Sequence, residues 1–71
     1  MERTPVISSA IRSVGYDSAS RELEVELVSG NIYLYRNVPP FMHEGLLAAK
    51  SKGTFFNKKI ARRFEYEQKI N

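Results

Sequence analysis

The segment Glu22-Leu23-Glu24-Val25-Glu26-Leu27 places a carboxylate on one side of the chain and an aliphatic group on the other, three times over. A period of two fits a β-strand with one buried face and one wet face, and fits no helix. Such a strand needs pairing partners, and the flanking sequence supplies them. Ser29-Gly30-Asn31 tolerates positive φ, and Ile32-Tyr33-Leu34-Tyr35 resumes a β-branched and aromatic run, so the two runs are expected to form a hairpin. Upstream, Ala10 to Tyr16 carries Ile11, Val14 and Tyr16 and ends in the turn formers Asp17-Ser18-Ala19-Ser20. The expected sheet is a three-stranded antiparallel meander. Ile11 and Val14 fall out of step with strict alternation, which predicts a bulge or a late strand start near Ser13. Gly15 and Gly30 read as backbone requirements, and Asp17 as an acceptor capping its turn.

Val38-Pro39-Pro40 ends the sheet, because two prolines cannot donate to a ladder and the second suits the first position of a helix. Phe41 to Ala49 then reads as a short helix, with Met42, Leu46 and Ala49 at helical spacing and Gly45 weakening its middle by about 1 kcal/mol relative to Ala. After Ser51-Lys52-Gly53, Thr54 is the expected cap of a second helix from Phe55 to about Arg63, with Phe56, Ile60 and Phe64 along one face. Phe64-Glu65-Tyr66-Glu67 alternates again, as an extended tail against the body. The fold class is therefore α+β, a three-stranded meander followed by two short α-helices packed on it, with an extended C-terminal tail.

Residues 1–71 make one domain, since a chain this small hides only about 60% of its unfolded surface and has room for one core. The absence of cysteine excludes disulfides, thiolate zinc sites and cysteine nucleophiles. One histidine and scattered carboxylates favour no metal, and nothing points to a cofactor. No targeting signal or membrane span is read in the sequence, so a soluble cytoplasmic protein is expected.

The net charge of +3 hides a division. Residues 1–40 hold four arginines against five carboxylates, net −1, whereas residues 41–71 hold seven cations against three carboxylates, net +4. From Lys50 to Arg63 there are six cations and no carboxylate. On a helix, Lys58, Lys59, Arg62 and Arg63 form one arc with Phe55 in its middle, and Lys52 precedes it. An exposed ring among cations suits single-stranded nucleic acid, in which bases stack while phosphates meet charge. Ser51, Gly53 and Thr54 at the helix start would add N–H groups and a hydroxyl for an anion. The competing reading makes the arc a solvated helix face and turns Phe55 into the core.

The ordered residues Val6-x-Ser8-Ser9-x-Ile11, Val14-Gly15-Tyr16-Asp17, Leu23-x-Val25, Ser29-Gly30, Tyr33-x-Tyr35, Val38-Pro39, Ala49-x-Ser51-Lys52-Gly53, Phe56-Asn57 and Ile60 resemble the KTSC domain family. Phe64 departs from the tyrosine expected there. The resemblance spans nearly the whole chain. It implies a domain found at the C-terminus of some lysyl-tRNA synthetases and as small stand-alone bacterial proteins, with RNA binding suggested by the synthetase context. It also draws interest to Tyr33 and Tyr35, which share one strand face at a separation of roughly 7 Å, a spacing on which bases could stack. The alternative places both rings at the margin of a face covered by the helices.

A catalytic role finds little support. Ser8 or Ser9 with His43 and Asp17 could be drawn as a triad, but no nucleophile-elbow sequence accompanies them. The expectation is a small non-catalytic binding module, with RNA or another anionic partner engaged through Lys52, Phe55, Lys58, Lys59, Arg62 and Arg63, together with Tyr33 and Tyr35. The alternative is a protein-interaction or self-association module, with a protein partner or a homodimer joined through a sheet edge or aromatic patch.

Overall fold

The computed structural model describes residues 1–69. Ile70 and Asn71, the end of the span expected to form the domain, lie outside the described residues. Strands β1 (Thr4–Pro5), β2 (Ile11–Asp17), β3 (Glu22–Leu27) and β4 (Ile32–Tyr35) are followed by helix α1 (Pro40–Ala48). Helix α2 (Lys52–Phe55) runs directly into a π-helical turn, Phe56–Ile60, and the chain closes with β5 (Tyr66–Lys69). The sheet order is β1-β2-β3-β4-β5 with every neighbour antiparallel. The expected meander forms the centre, and the sheet has five strands rather than three. Both additions are recruited rather than autonomous. Thr4–Pro5 is two residues long, and Tyr66–Lys69 is exposed throughout, so neither carries an alternating apolar face of its own.

The pairing explains the irregular spacing in β2. Val14 faces Val25 and Ser13 faces Glu26, but Ile11 faces Leu27, so Arg12 is the extra residue of a bulge. An unbroken strand would turn Ile11 to the face opposite Val14, and the bulge restores it to the core, where it is fully buried. At the β2–β3 turn, the Asp17 carboxylate accepts from the Ala19 and Ser20 amides at 2.9 and 3.4 Å. Between β3 and β4, Gly30 has φ +99°.

One face of the sheet presents Val14, Leu23, Val25 and Tyr35 to Val38, Leu46, Phe56 and Ile60, and these form the core with Ile11. Tyr16 anchors the chain entering α1: its hydroxyl donates to the Val38 carbonyl at 2.6 Å and its ring stacks on His43 with centroids 4.7 Å apart. Pro40 occupies the first turn of α1, as expected, while Leu46 is the residue that α1 buries completely. The second helical segment begins earlier than expected. Ser51, not Thr54, is its N-cap, its Oγ accepting from the Thr54 amide, and the helix ends at Ile60 rather than Arg63. The Ala61 amide donates to the Phe56 carbonyl at 2.8 Å, closing the wider π ring and keeping Phe56 and Ile60 on the core side.

The opposite face of the sheet is polar and crossed by the N-terminal segment. Glu24 is 3% exposed there, and its two oxygens accept from Arg3 at 2.6 Å and from Lys69 at 2.7 Å. Arg3 also donates to Ser13 Oγ, which in turn donates to Glu26. Burial pushes the Glu24 carboxyl up, but hydrogen bonds and charge from Lys69 and Arg3 outweigh it and hold the pKa below the ordinary glutamate value. No helix among the described residues is long and apolar enough to cross a membrane.

Candidate functional site

The π turn carries the concentrated positive charge. With Phe56 and Ile60 committed to the core, Lys58 and Lys59 are left exposed, and the turn that follows exposes Arg62 and Arg63. These four side chains, with Asn57 and Ala61, surround one open depression. Arg63 folds back so that its Nε donates to the Lys58 carbonyl at 3.3 Å, which draws its guanidinium toward the helix. Among the described residues, none of the four lies within ion-pair distance of a carboxylate. The ion pairs are elsewhere: Arg3 and Lys69 with Glu24, Arg12 with Glu26, and Arg36 with Glu67.

Lys52 stands apart from this cluster. Its Nζ donates to the Ala49 carbonyl at 3.0 Å, so the charge sits at the carbonyl end of α1, where a cation is favoured. Lys52 lines a second, smaller depression with Lys50, Ser8, Ser9, Ser51 and Thr54, among others, and Asn57 borders both depressions.

The expected aromatic partners are not in the charged arc. Phe55 is half-buried, and its ring fills the space above Gly45, where a Cβ would stand 2.8 Å from Cζ. The ring tip is thereby engaged with α1, and Phe55 does not line the depression that the four cations surround. Tyr35 is 3% exposed and packs edge-on against Phe56 at 5.5 Å, which removes it as a stacking platform. Tyr33 is half-buried beside Tyr35, with centroids 6.5 Å apart. Burial, followed by the neighbouring Tyr66 and Tyr33 phenols, pushes the Tyr35 pKa up to about 12, so its hydroxyl stays protonated across the physiological range. The ring that sequence reasoning missed is Tyr66, 54% exposed, which meets Tyr33 edge-on at 5.6 Å and Tyr35 at 5.2 Å. Its signal was the alternation of the tail, but only the pairing of β5 with β4 places it opposite Tyr35.

The residues drawn as a triad serve separate local contacts. Ser8 Oγ accepts from the Ala10 and Ile11 amides, Asp17 caps its turn, and His43 stacks on Tyr16. Burial lowers the His43 pKa against an opposing effect of Glu44.

The family model of the KTSC domain matches residues 7–64. The chain belongs to the KTSC domain family. The crystal structure of the KTSC domain protein YPO2434 from Yersinia pestis superposes with a TM-score of 0.92 at 40% identity, covering 99% of this chain and 97% of that one. A protein of Tsukamurella paurometabola is 47% identical over 60 residues, 84% of this chain and 90% of its own length. A lysine–tRNA ligase of Nostoc punctiforme is 42% identical over 60 residues, which are 84% of this chain and 11% of the ligase. The KTSC domain thus accounts for nearly all of one relative and a minor part of the other.

Proposed function

We propose that this KTSC domain is a small non-catalytic module that binds RNA through the basic surface of its second helical segment. The observation that carries this reading is the group of four exposed cations, Lys58, Lys59, Arg62 and Arg63, around one depression with no carboxylate partner among the described residues. Counterions held by a polyanion are released when such a group meets its phosphates. The 60-residue likeness to a segment of lysine–tRNA ligases, enzymes that act on an RNA, supports RNA as the polyanion.

The test is a titration of labelled tRNA at about 50 and about 200 mM salt. Four phosphate contacts give an affinity loss of roughly 150-fold over that range on a double helix and roughly 50-fold on a single strand. The double variant Lys59→Glu/Arg63→Glu is expected to bind weakly and to show a flattened salt dependence. No saturable binding at the lower salt, or equal binding by the variant, overturns the proposal.

A further inference from the structure

We infer that the RNA engaged by this surface is double-helical, gripped through its phosphates and 2′-hydroxyls and not through its bases; this rests on the RNA-binding reading above. Three observations point there. First, neither depression has an aromatic wall, since Phe55 is seated on Gly45 and Tyr35 lies in the core. Single-strand binders rely on open rings on which successive bases stack, and this surface offers none. Second, Asn57 borders both depressions, so Lys58, Lys59, Arg62 and Arg63 of the one and Lys50 of the other adjoin through it.

Third, the smaller depression is rich in hydroxyl and amide groups with hydrogen-bonding capacity to spare. Among the described residues, the side chains of Ser9 and Asn57 make no hydrogen bond. Ser8 Oγ accepts two amides but keeps its proton to donate, and Thr54 accepts from Ser51 while its own proton stays free. Neutral donors and acceptors beside cations suit a surface that displays sugar hydroxyls next to phosphates. The wide, shallow minor groove of A-form RNA is such a surface, whereas its bases are stacked inside. DNA of the same sequence lacks the hydroxyl.

The 71-residue chain is titrated at one salt concentration with three probes: an RNA hairpin, the DNA hairpin of the same sequence, and a single-stranded oligouridylate with the same number of phosphates. The RNA hairpin is expected to bind about tenfold tighter than either of the others. The variant Ser9→Ala/Asn57→Ala is expected to bring RNA-hairpin affinity down to that of the DNA hairpin while its DNA affinity and salt slope stay unchanged, which also verifies that it is folded. Equal or tighter binding of the oligouridylate overturns the double-helical assignment, equal binding of the two hairpins overturns the grip on 2′-hydroxyls, and either leaves RNA binding standing. No saturable binding of any probe overturns both.

Discussion

At Gly15 the local preference of a strand and the packing of the molecule pull in opposite directions. Alanine is favoured over glycine in a strand by roughly 0.5–1 kcal/mol because it loses less backbone freedom on folding. Yet a Cβ at Gly15 would stand 2.6 Å from the carbonyl oxygen of Glu2, a backbone atom that cannot rotate away. To admit it, the N-terminal segment must lift, and with it Arg3, the partner of Glu24. Gly15→Ala is therefore expected to destabilise the protein by about 1–3 kcal/mol in urea unfolding. In a chain lacking Met1 to Arg3 the same substitution is expected to be neutral or stabilising. Destabilisation of equal size in both backgrounds would show that the obstruction lies elsewhere. A sequence marks Gly15 as special but carries no trace of what approaches it. Lys52 and Phe55 illustrate the same limit, since both lie in the basic stretch and each is taken up by α1, one at its terminal carbonyl and the other at Gly45.

At the scale of elements, what was legible was whatever has a local period. The alternation of β3, the turn residues around it, the bulge in β2 and the proline entry to α1 all follow from spacing and backbone chemistry. The edge strands were not legible, because β1 and β5 are defined by what they join rather than by their own pattern. Glu24 in β3 links these two edges, through Arg3 just before β1 and Lys69 at the end of β5. Its folded pKa lies below the ordinary value of 4.5. The ionised form is thus favoured by folding, so its contribution is complete above the unfolded pKa and is lost as pH falls through the folded pKa. Melting temperature is expected to hold near neutral pH and to decline below about pH 4.5. Glu24→Gln is expected to lose about 2 kcal/mol at pH 7, less than a fully buried pair because Arg3 and Lys69 keep contact with water, and to show a shallower acid decline. An acid decline as steep as that of the parent protein would remove Glu24 from the account.

For the molecule as a whole, positive charge and stabilising pairs occupy different places. Glu24 and Glu26 of β3 and Glu67 of β5 are engaged by Arg3, Arg12, Arg36 and Lys69 in and beside the sheet, while Lys58, Lys59, Arg62 and Arg63 crowd onto one segment without a counter-charge among the described residues. Like charges gathered around one depression repel one another, and four cations meet here. Exposed repulsion is screened by salt, whereas the attraction within the Glu24 cluster lies deeper and is screened less. Added salt should therefore stabilise the protein, opposite to what paired surface charges alone would give. Between about 0.05 and about 0.5 M sodium chloride the melting temperature is expected to rise on the order of 2–5 °C, a shift that fits a domain of this size. The Lys59→Glu/Arg63→Glu variant leaves two cations beside two carboxylates around the depression, so its melting temperature should start higher at low salt and stay level or fall as salt is added. A polyanion bound at the same surface would relieve the repulsion in the same way, and it too should raise the melting temperature at low salt. A parent protein whose stability is independent of salt would mean that the four cations are held far enough apart not to repel, and would weaken the view of them as one binding surface.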